Sequence, residues 1–192
     1  NGNPLSSSEY LITDDGIQLN LDLTGNKTSG IVALRARKNP NPVEIRKKNF
    51  YVAEDYFEPV TAKDGVVKLH KGERYLICSK GVLHIPPHLS AELRRHYGIG
   101  IRGDWDEAGF IDNGFIGDLV SEARLAENAV LIQDESVPFS ALELSRTSQL
   151  PDKLYGKEIG SNYHGQNGPR VSKVFMPFDF ETAAKLFKKL DK

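Results

Sequence analysis

The sequence predicts a mostly-β domain of the sandwich or barrel kind, closed by one short C-terminal helix. Three observations carry this reading. Ile17, Leu19, Leu21 and Leu23 alternate with Gln18, Asn20, Asp22 and Thr24, the period of a half-buried strand. Short apolar runs recur along the chain and end at turn pairs such as Asp64-Gly65, Lys71-Gly72 and Lys80-Gly81. After Glu181 the period becomes helical, with Ala184, Phe187 and Leu190 on one stripe.

The elements follow in order. Asn1 to Glu9 is polar and serine-rich, and residues 1–15 read as a flexible lead-in. The first strand starts at Gly16 and ends at the Gly25-Asn26-Lys27 turn. Ile31 to Leu34 is a short apolar strand, followed by a cationic, proline-containing loop from Arg35 to Pro42. Further strands are expected at Phe50 to Val52, Val66 to Leu69 and Tyr75 to Cys78. Pro87 to Tyr97 reads as a helix, because Ser90-Ala91-Glu92-Leu93-Arg94-Arg95 is helix-friendly and Ser90 is a capping residue. Asp112-Asn113-Gly114 reads as a hairpin turn, after which Asp118, Val120 and Glu122 share one face of a strand. The β domain spans 16–178. Residues 179–192 form an amphipathic helix with Asp179 or Thr182 as cap and lysines near its negative end.

Composition removes several classes. The 192 residues suit one domain, and 39% hydrophobic with 27% charged residues is a globular balance. A net charge of -1 implies no bulk attraction to nucleic acid or to an anionic membrane, so an anionic ligand needs a local group of cations. No apolar run has the length of a membrane span, and no signal peptide precedes the first strand. The single cysteine, Cys78, excludes an intrachain disulfide framework and a CxxC metal knuckle, and it points to a cytoplasmic location. The chain starts at Asn1 rather than at a methionine, as expected of a processed or excised piece of something longer.

Familiar catalytic signatures are missing. Neither a Walker loop, a GxGxxG turn nor a GxSxG elbow occurs. Cys78, His84 and His88 are close in sequence, but Pro86-Pro87 breaks any helix that would align the two histidines, and no zinc site is expected. Three segments remain. In Asp112 to Glu122, a carboxylate on a turn and another on the next strand frame a pocket. Gly160 to Lys173 mixes glycines with amide, hydroxyl and cationic donors suited to a planar polar ligand and its phosphates. Glu92 to Arg95 carries paired arginines with forked donors for phosphate. Each segment alone reads equally as a solvated turn, a surface loop or a helix end.

Together, in this order, the segments resemble the deoxycytidine triphosphate deaminase and dUTPase superfamily. Ile111-Asp112-Asn113-Gly114-Phe115-Ile116-Gly117, followed by Glu122, is similar to its I-D-P-G-(W/F)-x-G strand and glutamate. Tyr163-His164-Gly165-Gln166-Asn167-Gly168-Pro169-Arg170-Val171-Ser172 resembles its Y-x-G-Q-x-G-P-x-x-S segment. Ile85-Pro86-Pro87, Ser90-Ala91-Glu92-Leu93 and Ile159-Gly160-Ser161-Asn162-Tyr163 resemble the C-terminal half of the long, internally duplicated deaminase form. The resemblance implies a β-clip fold, a distorted jelly roll, in trimers or their multiples with sites between subunits. It implies zinc-independent hydrolytic deamination of dCTP to dUTP. Glu122 then matches the general base, a role that calls for a carboxyl pKa raised by burial. Asp112 matches the aspartate at the deoxyribose, and Arg95 the arginine that ends the family's R-S-S-L-A-R helix. Arg94, Asn162, Tyr163, Gln166, Gly168, Ser172 and Lys173 fall on substrate-binding positions. Magnesium comes with the triphosphate, and no nucleic-acid or membrane partner is implied. Ala91 stands where a serine is expected, and Asn162 where a lysine often stands. A catalytically silent nucleotide- or protein-binding module and a dUTP pyrophosphatase are the alternatives.

Overall fold

The computed structural model describes residues 12–14, 16–95, 105–106, 109–132 and 138–190; the side chains of Arg95, Trp105, Asp106 and 187–190 lie outside the description. In chain order the strands are β1 (Ile12–Thr13), β2 (Gly16–Leu19), β3 (Ile31–Ala36), β4 (Phe57–Thr61), β5 (Val66–Leu69), β6 (Arg74–Cys78) and β7 (Leu83–His84). They continue as β8 (Leu89–Arg95), β9 (Trp105–Asp106), β10 (Phe110–Ile111), β11 (Ile116–Gly117), β12 (Val120–Arg124), β13 (Ala129–Ile132) and β14 (Ser140–Arg146). One helix, α1 (Phe180–Leu190), follows. The strands form two antiparallel five-stranded sheets, ordered β1-β2-β14-β8-β10 and β4-β3-β6-β12-β9, with small pairs β7-β11 and β5-β13. The predicted mostly-β domain with a C-terminal helix is therefore what forms.

The alternating run that starts at Ile17 serves both sheets. Ile17 and Leu19 are buried in the core of the first sheet, with Leu83, Ile85, Ala91, Ile111, Phe115, Leu119 and Leu142. Beyond Leu19 the chain leaves β2, and Leu21 and Leu23 enter the core of the second sheet against Val32, Ala33, Tyr75 and Ile77. Strand β2 ends at Leu19, with an isolated bridge from Leu21 to Ser79 beyond it, so the strand expected to reach Thr24 is shorter than its period suggests. Strand β3 is apolar on both faces because both are covered. Its Val32 and Ala33 join the second core, and Ile31 and Leu34 pack under α1 with Val171, Phe178, Ala183 and Ala184. The Phe50 to Val52 strand reduces to a single parallel bridge from Tyr51 to Phe175 before a 3-10 turn at Ala53–Asp55. The cationic stretch after β3 is internally neutralised: Arg35 pairs with Glu58 and Glu73, Arg37 with Glu58, and Lys38 with Glu73.

Where a helix is expected over Pro87 to Tyr97, Leu89–Arg95 is instead strand β8, which overturns Ser90 as a cap and Arg95 as a helix-end residue; His96 and Tyr97 lie outside the described residues. Register explains the outcome. β14 pairs with β8 from Ser140↔Arg95 to Arg146↔Leu89, and β10 pairs on its other edge. Leu89, Ala91 and Leu93 then point together into the first core, a period of two that outweighs local helix propensity. Ala91 is buried there at 1% exposure, so it packs rather than faces a ligand.

The C-terminal helix forms as the stripe predicts. Asp179 caps it, its Oδ1 accepting from the Thr182 backbone N–H at 3.0 Å. That bond holds the Asp179 carboxyl below the usual range. A depressed folded pKa gives stability that is present above the normal carboxylate range and lost as pH falls through the lowered value. Helical ellipticity is therefore expected to decline on acidification in the native chain and to be less pH-dependent in Asp179→Ala, as circular dichroism at 222 nm would record.

Candidate functional site

The site forms where the first sheet ends and the second begins. The Asp112 carbonyl accepts from the Phe115 N–H at 3.2 Å, closing a turn with Gly114 at φ 83°. Positive φ at this third turn position is the type II requirement that glycine meets without strain. The turn is not a hairpin: β10 before it pairs with β8, and β11 after it pairs with β7, so it passes the chain between sheets. Asn113 Nδ2 donates to the Pro87 carbonyl at 2.9 Å, and the Asn113 carbonyl accepts from Tyr155 N–H at 3.0 Å, tying the turn to the 155–170 loop.

From this junction β12 runs into the second sheet. Its Glu122 lies opposite Leu76 of β6, which lies opposite Leu34 of β3. Glu122 therefore projects from the face that α1 and Phe175 cover. Asp118 does not share that face, as the alternation had suggested. The strand begins only at Val120, and Asp118 is fully buried against Lys27 and Gly168.

A cavity of about 290 Å³ opens here, lined by Asp112, Glu122, Tyr155, Tyr163, Gln166 and Arg170 over an apolar base that includes Leu93 and Phe115. It sits at the small end of the ligand-pocket range of roughly 300–1,000 Å³. A second hollow of about 180 Å³ shares Glu122, Tyr163 and Arg170 with it and adds Arg74 and Ser172. Gln166 is buried, and its Nε2 donates to the Asp118 carbonyl. Among the described residues its Oε1 has no partner, a buried acceptor on a residue that lines the cavity.

Of the residues expected from sequence, Asp112, Glu122, Tyr163 and Gln166 meet in the cavity, and Ser172 lines the adjoining hollow. Gly168 lies behind them, its N–H donating to Asp118 Oδ2 at 2.9 Å. Asn162 turns inward on its own loop, Nδ2 donating to the Val171 carbonyl at 3.1 Å. Lys173 donates to the Gly160 carbonyl, and Arg94 pairs with Glu143 on the first sheet; neither lines the cavity. The Arg95 side chain lies outside the described residues. Glu122 is exposed, so one chain does not supply the burial its expected role requires.

Tyr155 and Arg170 were not singled out in the sequence. Burial pushes the Tyr155 hydroxyl above the ordinary phenol range, against the opposing pull of the Tyr163 N–H that donates to it at 3.0 Å. Arg170 Nη1 donates to the Asn162 carbonyl at 2.6 Å, which holds the guanidinium at the boundary of the two hollows. The sequence signal for Arg170 was its place inside the glycine- and amide-rich segment. Tyr155 had none, because its position depends on the loop folding back.

Cys78 is buried and its thiol is pushed up by desolvation, which makes it a packing residue rather than a nucleophile. Among the described residues, no three His, Cys, Asp or Glu side chains are grouped to hold a metal ion, Cys78, His84 and His88 included. No helix among them is long and apolar enough to cross a membrane.

Two antiparallel sheets with a carboxylate-walled cavity at their junction place the chain in the class of dUTPase-like β folds. The comparisons name the family within that class. Residues 3–175 match the model of the 2'-deoxycytidine 5'-triphosphate deaminase (DCD) C-terminal domain, and the chain belongs to this family. It is 33% identical over 129 residues to a dUMP-forming dCTP deaminase of Corynebacterium kroppenstedtii, covering 65% of this chain and 69% of that protein. It is 28% identical over 136 residues to a dCTP deaminase of Natronomonas pharaonis, covering 70% and 68% respectively. The crystal structure of 2'-deoxycytidine 5'-triphosphate deaminase from Agrobacterium tumefaciens superposes with a TM-score of 0.66 at 25% identity, over 74% of this chain and 45% of that one. The chain thus spans less than half of that solved protein, and 60% of the matched dCTP deaminase of Corynebacterium glutamicum.

Proposed function

We propose that this chain carries out the hydrolytic deamination of dCTP, releasing ammonia and dUTP. The observation that carries the reading is the meeting of Asp112, Glu122 and the unpartnered Gln166 acceptor in one cavity, in a chain of this family. In this mechanism the Glu122 carboxylate takes a proton from water, the hydroxyl adds at C4 of the cytosine, and the proton passes to the departing amine. Carbon four gains the oxygen and loses the nitrogen, so one water is consumed and one ammonia released. Asp112 holds the deoxyribose, and Arg170 faces the phosphate side. Magnesium enters with the triphosphate, whose charge it neutralises; no protein-bound zinc takes part. The lone, buried Cys78 supports a cytoplasmic setting.

A second reading has support of its own. Asp112 stands in the same cavity as Glu122, and the Corynebacterium relatives carry the name dUMP-forming. The same site would then go on to split the triphosphate and release pyrophosphate, with Asp112 activating the second water.

The purified chain with magnesium and, in separate reactions, dCTP or dUTP tests these readings together. Ammonia without pyrophosphate is the expected result. Both products in equal amounts support the dUMP-forming reading. Pyrophosphate from dUTP alone means a dUTP pyrophosphatase, and binding without turnover means a silent module. We also propose a homo-oligomer, a trimer or its multiple. Phe110 is 64% exposed at the cavity and Glu122 beside it is exposed, a face that a neighbouring subunit would cover. Sedimentation as a monomer at micromolar concentration would remove this proposal.

A further inference from the structure

We propose that the Lys27–Asp118 ion pair is a latch that sets the position of Gln166, which makes Lys27 and Asp118 positioning residues for the nucleotide cavity. Its consequence for nucleotide binding rests on the functional reading above; the latch itself does not.

The segment that carries Gln166 has no strand to hold it. Among the described residues, its only ladder contact between Gly160 and Val171 is an isolated parallel bridge from Gln166 to Gly117. Upstream, the Tyr163 N–H is held by the Tyr155 hydroxyl at 3.0 Å; around Gln166 the attachment converges on one residue. The Asp118 N–H donates to the Gln166 carbonyl at 3.1 Å, and Gln166 Nε2 donates to the Asp118 carbonyl. The Gly168 N–H donates to Asp118 Oδ2 at 2.9 Å. One neighbouring bond, Gly165 N–H to the Ile116 carbonyl at 2.6 Å, completes the set. Because Nε2 is taken by Asp118, the amide of this cavity-lining residue is fixed in one orientation, with its Oε1 unpartnered among the described residues.

The Asp118 carboxylate is 0% exposed, and a charge so placed stays buried only when it is paired. Lys27 Nζ provides the partner at 2.7 Å from Oδ1. It comes from a compact turn in which the Gly25 carbonyl accepts from both Thr28 and Gly30 N–H, so the ammonium arrives on a fixed arm. The same turn presses on the latched segment: a Cβ at Gly168 would lie 2.4 Å from Thr28 Cγ2. The turn at 25–30, the link at 117–119 and the segment at 165–168 thus lock as one unit. Removing the ammonium leaves the buried carboxylate without its cation, so Asp118 moves outward, and Gly168 and Gln166 follow it.

Hydrogen exchange tests the latch, and a double-mutant cycle tests its consequence. Lys27→Met is expected to speed exchange of the 165–168 amides selectively, and Lys27→Arg to restore their protection. Asp118→Asn removes the charge but keeps an acceptor for Gly168. It is expected to accelerate the same amides by a smaller factor, and it keeps the test open if Lys27→Met does not fold. Equilibrium binding of dCTP with magnesium is then measured on Glu122→Gln protein, in which turnover is suppressed. Lys27→Met is expected to weaken binding by about 10–100-fold, the scale of misplacing a contact group by an ångström. Gln166→Leu should weaken it comparably, and the two together no more than the stronger alone, because they act through one group. Unchanged exchange at 165–168, or a uniform rise across the protein, overturns the latch. Additive losses in the double variant overturn positioning through Gln166. If Glu122→Gln protein binds no dCTP, the nucleotide role falls with the functional reading while the exchange result still decides the latch.

Discussion

Glu122→Gln is expected to lower kcat for dCTP deamination by about 10²–10⁴-fold, the usual contribution of a general base. The substitution keeps the shape of the side chain and its capacity to accept a hydrogen bond, but the amide cannot take a proton from water. Nucleotide affinity is expected to stay within a few-fold, because the base acts mainly in the transition state and such losses fall on kcat rather than on binding. Asp112→Asn should behave differently, although both carboxylates line one cavity. If Asp112 only holds the sugar, KM rises and kcat changes less. If the site also cleaves the triphosphate, Asp112→Asn removes pyrophosphate release and leaves ammonia release, and the two products separate in one assay. Steady-state kinetics with both products quantified checks all of this. Full activity in both variants would remove Glu122 and Asp112 from the chemistry.

Leu142→Ala is expected to cost about 2–5 kcal/mol of stability, the range for emptying a fully buried leucine site. Leu142 is 0% exposed in β14, the strand between β2 and β8, and it faces Ile17 on one side and Leu93 on the other. At about 2–4 °C per kcal/mol for a chain of this size, the melting temperature should fall by roughly 4–20 °C. Leu142 does not line the cavity, while its neighbour Leu93 does. Activity per folded molecule is therefore expected to change little. A large drop in kcat with an unchanged melting temperature, measured calorimetrically, would show that β14 shapes the site rather than supporting it.

Which side chains entered the core was legible where burial followed a simple period. Ile17, Leu19, Leu21 and Leu23 were all predicted inward and are all buried. The helix at Phe180–Leu190 and its Asp179 cap were legible for the same reason, since both signals are local. The β8 segment was misread because its composition favours helix, while its period of two at Leu89, Ala91 and Leu93 is equally present in the letters. Choosing between them requires the partner strands β14 and β10, which lie far away in sequence.

The two ingredients of the site are written in local stretches of the chain: a turn at Asp112 followed by Glu122, and a glycine- and amide-rich segment containing Tyr163 and Gln166. Their order and spacing also sufficed to suggest the family. Long-range packing put them in one cavity, because Tyr163 lies 41 positions beyond Glu122 and nothing local fixes that distance. It likewise decided that Arg170 and Tyr155 face the site and that Arg94 and Lys173 do not. Asp118 shows the reason most directly. Strand alternation placed it beside Glu122, but a buried carboxylate needs a cation, and Lys27, 91 positions earlier, draws it to the opposite side of the bend.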